Sequence, residues 1–165
     1  MRSPPVTTRV ARPADAATMA RTMRVGIDTY RAFAPNGWEP RSPPGHVEGI
    51  AEALRDRWTW ALLADVAGEP AAHVAMFPDS QPGGAIYLWH LFVRPAWWGS
   101  GLAGDLHDAF AAEAYRRGYR EARLHTAAGY ARARRFYERR GWRVSAPPET
   151  WNGLPVIEFR WRLQP

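Results

Sequence analysis

Three glycines, Gly99, Gly101 and Gly104, stand close together just after an apolar run that ends at Val93, and an amphipathic pattern opens at Leu102. That order of residue types suits one chemical task, the holding of phosphate. Glycine lets main chain approach an anion closely, and the free N–H groups of a first helical turn, backed by the helix dipole, donate without any side chain. The letters also match Gly-x-Gly-x-x-Gly, which suggests a dinucleotide. A Rossmann unit, however, carries that loop after its first strand and an acidic residue roughly 20 positions later. Here about 90 residues precede the loop, and the region of Leu124 offers His125 and Thr126 instead of an acid. A nucleotide-dependent oxidoreductase is therefore the lesser reading, and a Walker loop is excluded because Gly-Lys-Ser/Thr does not occur.

Other reactive side chains are few. There is no cysteine, which removes disulfides, thiolate zinc sites and cysteine nucleophiles together. His46, His73, His90, His107 and His125 are scattered without ligand spacing, so no metal is expected. Net charge is +6, and all 22 basic residues are arginine. Ten of them fall between Arg116 and Arg143. Such a cluster can face nucleic acid, a small polyphosphate or plain solvent. It overlies helices that flank the glycine loop, so a polyphosphate ligand explains it as well as nucleic acid does.

Those residues need elements to hold them. Residues 7–12 read as a first strand, and 13–33 as a helix or helix pair with Ala16, Met19, Met23 and Ile27 on its apolar face. Residues 34–44, rich in Pro and Gly, read as a loop, followed by a helix over 45–57. Trp58, Trp60 and Leu62 alternate, residues 67–70 turn, and Ala72, Val74 and Met76 alternate again, which predicts a hairpin. A turn at 79–84 leads to an apolar strand over 85–93. Leu102, Leu106, Ala109, Phe110 and Ala114 then mark a helix ended by Gly118, and residues 122–126 a strand. Ala133, Phe136 and Tyr137 mark a short helix that stops at Gly141, and a strand starts at 142–145. The last strand alternates Ile157, Phe159, Trp161 and Leu163 with charged residues. The order predicts a mixed α/β layer without internal repeats. With 165 residues and 46% hydrophobic content, one domain over 1–165 is expected. The longest apolar run, 85–93, is too short to span a bilayer and no signal peptide is evident, so the expectation is a cytoplasmic protein without membrane contact.

Two segments resemble the GNAT superfamily of N-acetyltransferases, over roughly residues 7–163. That family's pyrophosphate loop reads Arg/Gln-x-x-Gly-x-Gly/Ala after a strand ending in Val-x-Pro. This chain has Val93-Arg94-Pro95 and then Trp98, Gly99, Ser100, Gly101, Leu102 and Ala103. Downstream, ARRFYERRGW from Ala133 to Trp142 is similar to the family's Ala-x-x-Phe-Tyr-x-x-x-Gly-Phe segment. Two departures stand out: Trp98 replaces the usual Arg or Gln, and Tyr130 stands where the family commonly has Asn. The resemblance implies a central mixed, mostly antiparallel sheet of six to seven strands flanked by about four helices. It also implies acetyl-CoA as co-substrate and transfer of acetyl to a primary amine.

Site residues follow from the same resemblance. Leu91, Phe92 and Val93 are expected to hold the pantetheine arm as an added strand, with the Val93 N–H polarising the thioester carbonyl. The diphosphate falls on the amides from Gly99 through Ser100, Gly101, Leu102 and Ala103 to Gly104. Arg132, Arg134 or Arg135 reach CoA phosphates. Tyr130 and Ala133 border the arm, Trp98 contributes main chain or indole, and Tyr137 is the general acid that protonates the departing thiolate. The base is expected to be His90, if a bulge turns it toward the cleft, or Glu39. The acceptor, a small-molecule or peptide amine, is expected among residues 34–44, Tyr87, Trp89 and residues 145–154, where Trp38, Trp89 and Trp151 can make an aromatic pocket. A non-catalytic acyl-CoA binding module on the same fold remains the alternative. No nucleic-acid partner is expected, and the protein is expected to be a monomer or homodimer.

Overall fold

The computed structural model describes residues 4–41, 46–80 and 84–165. Residues 42–44 of the expected loop, the start of the helix expected from 45, and residues 81–83 of the expected turn lie outside the described residues. Strand β1 (Val6–Val10) is followed by a 3-10 turn (Pro13–Asp15), helix α1 (Ala16–Asp28) and a second 3-10 turn (Thr29–Ala32), so the 13–33 segment is broken rather than one helix. After α2 (His46–Arg55) come β2 (Trp60–Val66) and β3 (Glu69–Pro78), the expected hairpin. Strand β4 (Ile86–Val93) leads through the glycine loop into α3 (Leu102–Arg116), which buries Leu102, Leu106, Phe110 and Ala114 at the anticipated spacing. Gly118 at φ 97° follows that helix, with Tyr119 N donating to Ala114 O at 3.1 Å, a left-handed closure of the last turn. Then come β5 (Glu121–Ala127), α4 (Ala131–Arg139), β6 (Arg143–Val144), β7 (Glu149–Trp151) and β8 (Leu154–Arg162).

The strands form one mixed sheet in the order β1-β2-β3-β4-β5-β8-β6, with β7 also paired to β8. All neighbours are antiparallel except β4 and β5. Eight strands among the described residues stand against the six to seven expected. The addition is β7, joined to β8 by Asn152 and Gly153 at φ 48° and 76°. Positive φ at two consecutive residues is what a tight hairpin asks for, and Asn-Gly is the sequence signal for it.

Alternation along the strands divides the core into two layers. Val74, Met76, Ile86, Leu88 and Phe159 pack with Leu106 and Phe110 of α3, Tyr137 of α4, and Trp142 on one face. Leu63 and Ala75 pack with Met19 of α1 and Ile50 of α2 on the other. Within the first layer Trp142 Nε1 donates to Nε2 of the buried His107 at 2.9 Å. The other ring nitrogen, Nδ1, lies 3.2 Å from Arg140 Nη1 and 3.6 Å from Asp108.

Candidate functional site

The site begins with a failure of pairing. Parallel β4 and β5 share a ladder only at Ile86 with Ala122 and Tyr87 with Arg123. Beyond those residues β4 stays on β3, with Val93 opposite Ala72, while β5 stays on β8, so the sheet opens into a V. Arg94 N donates to Ala71 O at 2.9 Å. In an antiparallel ladder hydrogen-bonded positions alternate, so Phe92 and His90 also bond toward β3. Leu91 and Val93 therefore turn their main-chain groups into the V. One of these is taken: the Trp98 indole donates to Val93 O at 2.9 Å.

A cavity of about 810 Å³ fills the V. Its wall takes Leu88, Leu91 and Tyr137 from the α3/α4 side and Gly26, Tyr30 and Trp89 from the α1 side, so it passes through the sheet. On the first side lies the glycine loop. Gly99 and Gly101 have φ of 79° and 90°, values a residue with a Cβ rarely adopts. Gly101 is the N-cap of α3, and the first helical bond runs from Asp105 N to Gly101 O at 3.1 Å. The N–H groups of Leu102, Ala103 and Gly104 thus have no helical carbonyl to meet, and all three residues border the cavity with Gly99 and Gly101. Ser100 does not; its hydroxyl donates to Trp97 O at 2.7 Å and accepts from Leu102 N at 3.4 Å, which closes the loop.

Arginines ring this mouth. Arg132 and Arg135 line it, whereas Arg134 turns away to Ala128 O at 3.1 Å and Glu138 at 3.9 Å. Arg139 and Arg140, not singled out from the sequence, line it too; Arg139 lies four residues from Arg135 on the same side of α4, and Arg140 is the residue that follows the helix. Arg140 bonds Asp108 at 2.5 Å, lies 4.9 Å over the Phe136 ring, and reaches so close to α3 that a Cβ on Gly104 would meet its Nη2 at 2.5 Å. Arg132 lies 4.5 Å over the Trp98 ring, a cation held against an indole face. Tyr137, 8% exposed, sits on the cavity floor against Trp142 and Phe159. Burial raises its phenol above the ordinary value, with Tyr30, Tyr130 and Tyr87 adding to the effect. Ala133 and Tyr130 are on the wall, and the Tyr130 ring packs on Tyr30 and Phe33 at 5.1 and 5.4 Å.

The bulge that His90 needs is present, but it delivers a different residue. Ala75 faces His90 while Met76 faces Leu88, which leaves Trp89 as the extra residue of β4. Trp89 reaches the cavity, whereas His90 is 4% exposed, stacks on Trp89 at 4.1 Å and lies 3.2 Å from His73. Burial holds His90 far below the usual imidazole value, and it does not line the cavity. Glu39 does not either, being exposed and paired with Arg31 at 2.7 Å. The three tryptophans are not brought together. Trp38 donates to Asn152 O at 2.8 Å and Trp151 is exposed, so the aromatic wall is Tyr30, Trp89 and Tyr130. The α1 side also presents His125, to which no pattern in the sequence assigns a role. No cluster of three or more metal-ligating side chains occurs among the described residues, and no helix among them is long and apolar enough to cross a membrane.

This V with a glycine-lipped helix start is the frame of an acetyltransferase fold. The chain belongs to the GNAT acetyltransferase family, whose model, "Acetyltransferase (GNAT) family", matches residues 27–142, more than half of the length. Solved structures share the whole architecture. A candidate acetyltransferase from Salmonella typhimurium, solved with its cofactor acetyl-CoA, is 19% identical with a TM-score of 0.73, covering 96% of this chain and 94% of that one. The ribosomal-protein-S18-alanine N-acetyltransferase of Escherichia coli is 18% identical with a TM-score of 0.70, covering 96% and 94%. The PaiA N-acetyltransferase of Thermoplasma acidophilum, in complex with coenzyme A, is 14% identical with a TM-score of 0.69, covering 95% and 99%. At such identities the likeness speaks for the fold. No curated protein gives a significant match to the sequence.

Proposed function

We propose that this protein is an acetyl-CoA-dependent N-acetyltransferase that moves acetyl to a primary amine of a small molecule or peptide by direct attack on the thioester. The observation that carries the reading is the junction of Leu91 and Val93, without a strand partner on the β5 side, with the first-turn amides of α3 in one arginine-ringed cavity. Pantetheine amides can add to the open edge of β4 as a strand would. The diphosphate then falls on the Leu102 to Gly104 amides, with Arg140 and Arg132 at the rim. The Val93 N–H faces the V, where it can stabilise the oxyanion formed on attack. Tyr137, kept protonated by burial, gives its proton to the leaving sulfur and regains one from the nitrogen of the collapsing adduct, so the phenol ends as it began. The acceptor approaches from the α1 side, past Tyr30 and Trp89.

Calorimetric titration with acetyl-CoA, beside a thiol-release assay over an amine panel, tests the reading. Saturable binding with thiol release only when amine is present is the expected result. Binding without release over the whole panel would favour the non-catalytic acyl-CoA module, and no binding would refute both.

A further inference from the structure

The cavity is divided by charge. Among the described residues, its formally charged border consists of Asp105 and Asp108 on α3, Arg132, Arg135 and Arg139 on α4, and Arg140 just after that helix. The half toward α1 carries no such group: its border is Gly26, Tyr30, Trp89, Phe92, His125 and Tyr130. His125 adds no charge at neutral pH, because burial and then Arg123 lower its pKa against the opposing pull of Glu158. Its Nδ1 lies 2.8 Å from the Tyr87 hydroxyl.

Two sets of rings build that uncharged half. In the first, the Tyr30 ring, just past α1, has Trp38 stacked at 6.4 Å and Tyr130 tilted at 5.1 Å, and Phe33 stacks on Tyr130 at 5.4 Å. In the second, Trp89, the extra residue of the β4 bulge, stacks on His90 at 4.1 Å and meets Phe77 edge-on at 5.5 Å. Tyr30, Trp89 and Tyr130 are only half-buried although each is packed among other rings, and all three border the cavity. Aromatic surface is thus left over from the core and turned toward the space where an acceptor must enter.

We propose that the acceptor is a small arylalkylamine whose only charge is on the reacting nitrogen, its ring lodged among Tyr30, Trp89 and Tyr130. The proposal rests on the acetyl-transfer reading above and names the class of its second substrate. An aromatic ring there is removed from water and finds both faces and edges of other rings to pack on. A second ammonium, as in a diamine, would be buried with no carboxylate on that half and in the field of the four arginines opposite. A cation–π contact returns less than such burial costs. A carboxylate, as in an amino acid, would meet no arginine on that half and would be buried unpaired.

Thiol release by the full chain with acetyl-CoA is compared for phenethylamine, ethylamine, cadaverine and phenylalanine. The kcat/KM for phenethylamine is expected to exceed each of the others by about 30-fold. Tyr30→Leu and Trp89→Leu, each checked for folding by acetyl-CoA titration, are expected to lower the ratio of phenethylamine to ethylamine kcat/KM by about tenfold. Binding is read separately by calorimetry: phenethylamine titrated into protein saturated with coenzyme A is expected to bind about tenfold or more tighter than cadaverine. Equal use of all the amines, a preference for the diamine or the amino acid, or an unchanged ratio in the folded variants overturns the aryl site while leaving acetyl transfer in place. If wild type releases no thiol with any amine, the functional reading falls and the aryl site falls with it.

Discussion

Tyr137 and Trp98 each offer a change of a few atoms with a readable outcome. Tyr137→Phe removes the hydroxyl and leaves the ring against Trp142 and Phe159. Turnover is expected to fall about 100-fold with acetyl-CoA affinity held within about threefold, read by thiol release beside calorimetry; undiminished turnover would retire the residue as the acid. Trp98 acts through the bond its indole makes to Val93 O. Trp98→Phe frees that carbonyl while keeping a ring under Arg132. Acetyl-CoA binding is expected to tighten by about fivefold, the worth of one neutral hydrogen bond. Weaker binding in the calorimeter would mean that the indole itself touches the ligand. The motif positions of both residues were legible because each lies in a local pattern. The Tyr87–His125 contact was not, since it joins residues 38 positions apart across a ladder that no local pattern encodes.

At the level of elements, α1 meets β4 at a point without room for a side chain. A Cβ on Gly26 would lie 2.5 Å from Cδ1 of Phe92. Gly26→Ala gains up to about 1 kcal/mol of helix propensity but must push α1 off the strand edge, at a cost of about 1–3 kcal/mol. A thermal midpoint lowered by a few degrees is expected, and an unchanged or raised midpoint would show that Phe92 yields freely. The strand, glycine loop and α3 could be read ahead because glycines and apolar spacing announce them. Strand β7 escaped although Asn152-Gly153 announced its turn, since three exposed residues carry no hydrophobic alternation. The bulge at Trp89 escaped in detail because nothing in the letters decides which of two adjacent aromatic residues is the extra one.

Across the whole molecule, three histidines are buried and uncharged. Burial lowers His73 to about 3 and His90 well below its ordinary value, and burial with Arg140 lowers His107 to about 4. Between these values and the unfolded value near 6.5 the unfolded chain binds protons that the folded one refuses. Stability is therefore complete above about pH 6.5 and is lost as pH falls toward 4, the sign set by greater proton uptake on unfolding. His107 alone, at about 4 against 6.5, accounts for a loss on the order of 3 kcal/mol. Urea midpoints measured from pH 7.5 down to 4.5 are expected to drop steeply, and a flat profile would contradict the buried neutral state. One more trait of the molecule reaches into its handling at the bench. Every cation around the cavity is a guanidinium, and no side chain in the sequence is an alkylamine. Guanidinium stays charged and does not attack thioesters under ordinary conditions, so a reactive acetyl donor can be held among Arg132, Arg135, Arg139 and Arg140 without acylating its own holder. Mass spectrometry after long incubation with such a donor should find these side chains unmodified, giving acetylation assays a clean background that a lysine-rich homologue would lack.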